Sequence, residues 1–146
     1  TVASPDCRDV TSSHVACPPL PGQGWYRNLD PNEKVTGRPL VYDRTVYFSY
    51  YLPLAINPCS PGKGFLAALN YECGVERQII EVGGGIPTAP VIRDGKIYIG
   101  ISNPGTGTGP GGHLPPGWKR SGNIIVGTTP AGFSGALTFE SWRELY

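Results

Sequence analysis

A strand pair occurs twice in this chain. Pro39-Leu40-Val41-Tyr42-Asp43-Arg44-Thr45-Val46-Tyr47-Phe48 returns as Pro90-Val91-Ile92-Arg93-Asp94-Gly95-Lys96-Ile97-Tyr98-Ile99 at a constant shift of 51 residues. Each copy reads as proline, apolar run, polar turn, apolar run. The second turn, Asp94-Gly95, takes positive φ readily and predicts a tight hairpin. A repeat near fifty residues built on hairpins points to propeller-type blades. A closed propeller needs about four to eight of them. Two copies therefore leave apolar faces and sheet edges for something else to cover.

The repeat extends past the hairpins. Gly64 through Leu69, closed by Gly74, aligns with Gly122 through Gly127, closed by Gly132, at a shift of 58 residues, and the extra residues fall in the loop before the third strand. Fourth strands are expected at 77–82 and 137–142. The sequence thus predicts an all-β protein of two four-stranded antiparallel blade-like units, at about 37–83 and 88–146. They form one β domain over 24–146, behind an extended N-terminal arm, 1–23. The 21 glycines and 16 prolines among 146 residues support short strands joined by turns, with helix nearly absent.

Several function classes lose their footing at this level. A net charge of +1 with no basic run gives no electrostatic footprint for nucleic acid or anionic membranes. No apolar stretch of about 20 residues is present to span a membrane as a helix. The sequence begins at Thr1 and contains no methionine, which is read as a processed product whose signal peptide has been removed.

The four cysteines, Cys7, Cys17, Cys59 and Cys73, show neither Cys-x-x-Cys nor His-ligand spacing. In a glycine-rich β chain that favours disulfides and an oxidising, extracellular compartment. Three pairings are open. Cys7 with Cys17 would close a short loop and leave Cys59 with Cys73. That second bridge meets a difficulty, because one extended strand over 64–71 would set the two cysteines at opposite ends, and the loop 52–63 would have to fold back.

Motifs that resemble chemistry have simpler readings. Gly107-Thr108-Gly109-Pro110-Gly111-Gly112 matches a glycine-rich phosphate loop in form, but Pro110, Pro115, Pro116 and Gly117 forbid the helix such a loop requires behind it. The stretch 103–121 reads instead as a long connector, of a length often used for recognition. Gly62-Lys63 lacks the Ser or Thr that follows in a P-loop. His14 lies between two cysteines, yet a structural zinc site needs four ligands, and the other histidine, His113, is distant in sequence. No Gly-x-Ser-x-Gly elbow or Ser/Cys–His pairing appears. The expectation is a non-enzyme with no catalytic residues, cofactor or metal.

Aromatic residues are the remaining candidates. Tyr42, Tyr47, Phe48, Tyr50 and Tyr51 alternate between the two faces of one strand region, which predicts burial on both sides, in a core or against a neighbour. Trp25, Tyr50, Tyr51, Trp118 and His113 are the candidate assembly or surface contacts.

At this point the sequence resembles a known family. Gly24-Trp25-Tyr26-Arg27-Asn28-Leu29-Asp30 with Glu33-Lys34-Val35, then Pro39-Leu40-Val41, Val46-Tyr47-Phe48, Asn57-Pro58-Cys59-Ser60-Pro61-Gly62 and the closing Ser141-Trp142-Arg143-Glu144-Leu145 are similar to the last blades of the type IV pilus tip adhesin and assembly factor (PilY-type) family. The resemblance implies the C-terminal part of a secreted β-propeller protein that supports pilus extension and surface attachment, with pilus subunits as partners. It departs from the family in two ways: there are too few blades for the propeller, and the Asp-rich calcium loop is missing, Asp43 and Asp94 being isolated turn residues. The alternative is a structural subunit of an extracellular filament or pilus sheath, packed through its open β edges and by exchange of the proline-rich arm, with self-association among the partner expectations. A core pilin is not compatible with four prolines in the first 23 residues.

Overall fold

The computed structural model describes residues 7–9, 24–54, 59–103 and 114–129, with backbone alone at 7–9. Eleven strands follow in chain order: β1 (Cys7–Asp9), β2 (Gly24–Tyr26), β3 (Lys34–Val35), β4 (Leu40–Tyr42), β5 (Thr45–Leu52), β6 (Lys63–Asn70), β7 (Glu76–Gly84), β8 (Val91–Arg93), β9 (Lys96–Gly100), β10 (Lys119–Ser121) and β11 (Ile124–Thr128). Helix is absent among the described residues. β1 and β2 form a small parallel pair, and the rest divide into two antiparallel sheets.

The first sheet runs β3-β5-β6-β7, with β4 also on β5. β4 pairs with the start of β5 and β3 with its end, at Lys34↔Tyr51 and Val35↔Tyr50. Two short strands thus share one edge, and the sheet has five strands where four were expected. The second sheet runs β8-β9-β11-β10.

The two hairpins are equivalent, as the repeat predicts. Leu40↔Tyr47, Val41↔Val46 and Tyr42↔Thr45 in the first match Val91↔Tyr98, Ile92↔Ile97 and Arg93↔Lys96 in the second. Both turns place their two central residues at positive φ: Asp43 at 46° and Arg44 at 54°, Asp94 at 52° and Gly95 at 71°. That is the type I′ geometry, whose twist matches the strands it joins.

The expected fourth strand at 77–82 is found within β7. The one expected at 137–142 falls outside the described residues. Its place beside β11 is taken by β10, which precedes β11 and turns into it at Gly122-Asn123 with Gly122 at φ 57°. Sequence reading missed β10 because Lys119-Arg120-Ser121 carries no apolar alternation, its inward residue being an arginine.

The sheets pack face to face. Tyr47, Leu66, Ala68, Ile80 and Val82 from the first meet Ile97, Ile99, Ile101, Ile125 and Trp118 from the second, with Tyr42, Ile92 and Leu114 at the margin. Gly127 makes room for Trp118: a Cβ there would overlap the indole ring. The guanidinium of Arg120 spans the gap and donates to the Val82 carbonyl at 3.2 Å. Between the sheets, Thr36 donates through its hydroxyl to the Pro87 carbonyl at 2.8 Å, while Thr88 N–H donates to the Gly100 carbonyl at 2.9 Å and prolongs the β8–β9 pairing.

Candidate functional site

The two sheets do not present the same face to each other. In the first, residues 45, 47 and 49 point inward toward the second sheet; in the second, the inward residues are 97, 99 and 101. After the 51-residue shift, Tyr47 corresponds to Tyr98, whereas Ile97 and Ile99 correspond to Val46 and Phe48. The units are therefore stacked front to rear, each front face meeting the preceding rear face, and the stack has two different ends.

The rear end is the outer face of the second sheet. Cross-strand partners share a face, which places Val91, Tyr98, Val126 and Lys119 in one row, Arg93, Lys96 and Thr128 in another, and Gly100, Ile124 and Ser121 in a third. Val91 is 59% exposed and Ile124 51%, while Tyr98 and Val126 are half-buried. Arg93, Lys96 and Lys119 are exposed around this apolar strip.

The front end is the outer face of the first sheet, and its centre is covered: Tyr50, Ala67 and Leu69, which cross-strand pairing puts on this face, are all buried. Val41 there is 57% exposed and Val35 48%, and Val46, Phe48 and Phe65 are half-buried. Tyr50 stacks on Phe65 with ring centroids 4.9 Å apart and lies 6.1 Å from Phe48. Charged groups of both signs gather on this side. Glu76 accepts from Arg27 at 3.3 Å, Glu81 lies 3.5 Å from Lys63, and Glu33 accepts the Asp30 N–H at 3.0 Å. Burial pushes the Tyr50 phenol up to about 12; the negative charge of Glu33 adds to this, and Arg27 opposes it.

The predicted contact residues divide along these lines. Tyr50 and Trp118 are buried within the chain's own packing. Trp25 is half-buried and donates its indole N–H to the Tyr71 carbonyl at 2.7 Å, fixing β2 beside the corner between β6 and β7. Tyr51 is half-buried, with Gly62 against its ring. His113 and His14 lie outside the described residues. The aromatic alternation of β5 does mark packing on both faces, since Tyr47 and Tyr50 are both buried. Sequence reading missed the rear strip of Val91, Tyr98, Ile124 and Val126. Its signal was present in Lys96-Ile97-Tyr98-Ile99, where Tyr98 must oppose the isoleucines.

The cysteine expectation requires correction. Cys59 is exposed and is not joined to Cys73. The reason is the geometry noted from the sequence: β6 is one continuous strand of eight residues between them. At about 3.3 Å per residue that is some 25 Å, and a disulfide needs Cα atoms within about 7 Å. Cys73 is disulfide-bonded. The Cys7–Cys17 pairing falls on side chains outside the described residues. Among the described residues no three His, Cys, Asp or Glu side chains gather as a metal-binding group.

Comparison with protein-family models, with curated proteins and with solved structures found no match. The likeness to pilus tip proteins rests on the residues quoted for it above.

Proposed function

We propose that this chain is a non-enzymatic, secreted structural module of a type IV pilus or related extracellular filament, and that it acts by docking its sheet faces. The two sheets are read as two consecutive propeller-type blades, taken from or built like the C-terminal propeller of a pilus tip protein. The observation that carries this reading is the front-to-rear stacking of two units in equivalent register. Blades stack in that manner, and the second unit ends in an apolar strip, with Val91 and Ile124 exposed, of a kind that marks interaction sites. Described residues near these faces contribute packing and charge: isoleucine, valine, tyrosine, lysine and glutamate. None is arranged as a nucleophile beside a base.

The test is location. Immunogold labelling of intact producing cells, with an antibody against residues 114–129, should decorate surface filaments or pili, and shearing should release the labelled chain. Label confined to the cytosol would overturn the proposal.

A further inference from the structure

We propose that the disulfide at Cys73 is a redox-sensitive latch: it ties the β1–β2 segment to the corner between β6 and β7, and its reduction lets that segment lift from the outer face of the first sheet. The latch goes beyond the structural-module reading and does not depend on it.

Cys73 is disulfide-bonded and Cys59 is not its partner. The sequence holds only Cys7, within β1, and Cys17, between β1 and β2, besides these. The bond therefore returns to the start of the chain, whichever of the two supplies the second sulfur. Backbone placement agrees. Cys7 pairs with Gly24 and Arg8 with Trp25, and the Trp25 indole donates to the carbonyl of Tyr71, close to Cys73 in sequence. The corner that carries Cys73 is itself fixed, because Gly74 N–H donates to the Asn70 carbonyl at 2.7 Å and Glu72 N–H to the Asn70 side chain at 2.8 Å.

What the latch holds is a cover. Arg27, just after β2, pairs at 3.3 Å with Glu76, which shares the outer face with its cross-strand partner Leu69. Lys34 pairs with Tyr51 on the opposite edge and at the opposite end of the sheet. The chain between them crosses the outer face on a diagonal, and the charges of Glu33, Arg27 and Asp30 all act on the Tyr50 phenol. Tyr50, Ala67 and Leu69 are buried on that face. The polar holds on the corner end of the cover are slight: one indole hydrogen bond and one partly exposed ion pair. A disulfide that closes a loop containing β3 to β6 restricts the detached state far more. A dithiol reductant supplies two electrons and two protons, so that the S–S bond breaks, both cysteines become thiols and the reductant closes to its own disulfide. The cover then keeps only its slight holds.

Trypsin separates the four cysteines into the peptides 1–8, 9–27, 45–63 and 64–77. Digestion of the alkylated, unreduced full chain should yield 64–77 joined to 1–8 or to 9–27. Peptide 64–77 alone, or joined to 45–63, would overturn the latch. Hydrogen exchange of the full chain with and without dithiothreitol reads the release. Reduction should speed exchange about tenfold or more across 24–33 while 91–100 and 124–128 keep their protection. Cys73→Ser should do the same without reductant, and if that variant does not fold, the reduced wild type decides alone. Exchange over 24–33 that ignores reduction would sink the proposal. So would an equal loss of protection in both sheets, since the bond would then be a general staple and not a latch on one segment.

Discussion

In the first sheet the outer strand β7 follows β6 along the chain, whereas in the second the outer strand β10 precedes its neighbour β11. Up to that point the two are alike, with a type I′ hairpin in the same register and a third strand antiparallel to the second. The hairpins are alike because turn chemistry and apolar alternation act over a few residues. The outer strands differ because an edge can be supplied by any segment that reaches it. The inner sheet faces also differ: the first presents a tyrosine, the Leu66 and Ala68 of β6 and the Ile80 and Val82 of β7, the second isoleucines and a tryptophan seated over a glycine.

The largest way to break this comparison is at the tryptophan, which has no counterpart in the first sheet. Trp118→Ala should cost about 3–5 kcal/mol, as large buried aromatics do. Gly127→Ala, which forces a Cβ into the indole, should cost about 1–3 kcal/mol. The double variant should cost less than the sum, because the overlap disappears with the ring. Urea unfolding of the four proteins measures all three terms, and strict additivity would show that the two residues do not share one site.

A second difference lies in the phenol of Tyr50, whose counterpart in the second sheet is Ile101. Its folded pKa of about 12 lies above the ordinary 10. Below pH 10 both folded and unfolded states keep the proton. Between about pH 10 and 12 the unfolded chain releases it while the folded one does not, so stability falls as pH rises through that window. The loss is on the order of 2–3 kcal/mol at completion. Tyr50→Phe should flatten that part of the stability profile. Tyr47, raised by burial in the same direction, should keep a residual slope.

The two turns offer a smaller contrast. Gly95 is at φ 71° with open space around it, while the first turn holds Arg44 at φ 54°. Gly95→Val should cost about 1–2 kcal/mol, from backbone strain rather than collision. Gly95→Asn should cost less. Thermal melts that rank Val no worse than Asn would remove the strain argument.

Smallest is Ser49, whose shifted counterpart is Gly100. Its hydroxyl is fully buried and makes no hydrogen bond. Ser49→Ala removes an unsatisfied polar atom, so stability should stay level or rise by up to about 1 kcal/mol. A clear loss in Tm would mean that the hydroxyl has a partner in solution.

The hairpins, β6 and β7 were legible because each rests on a local rule: positive φ at Asp-Gly, alternation along Val46-Tyr47-Phe48, and a glycine at the corner. β10 was not, since Lys119-Arg120-Ser121 becomes a strand only when Ile124–Val126 folds back beside it and Arg120 finds the Val82 carbonyl. The short β3 was missed for the same reason. Of the candidate surface, the alternation of β9 encoded which side Tyr98 takes, but the rows joining it to Val91 and Val126 depend on registers set across the sheet. The obstacle to joining Cys59 with Cys73 was legible too, since an extended strand over 64–71 already sets them at opposite ends, as β6 does.

The strand order β8-β9-β11-β10 also sets a timetable. As the chain leaves the ribosome, or threads from an export channel, each main strand of the first sheet finds its neighbour already waiting. β9 finds β8 waiting, but its other edge stays unpaired until Ile124 arrives, after the whole connector and β10 have passed. Through that interval a bare edge of isoleucine-rich strand is open to other chains. The first sheet, complete by Gly84, is then the surface on which the second is assembled, so damage to β5 or β6 reaches the second sheet before it exists.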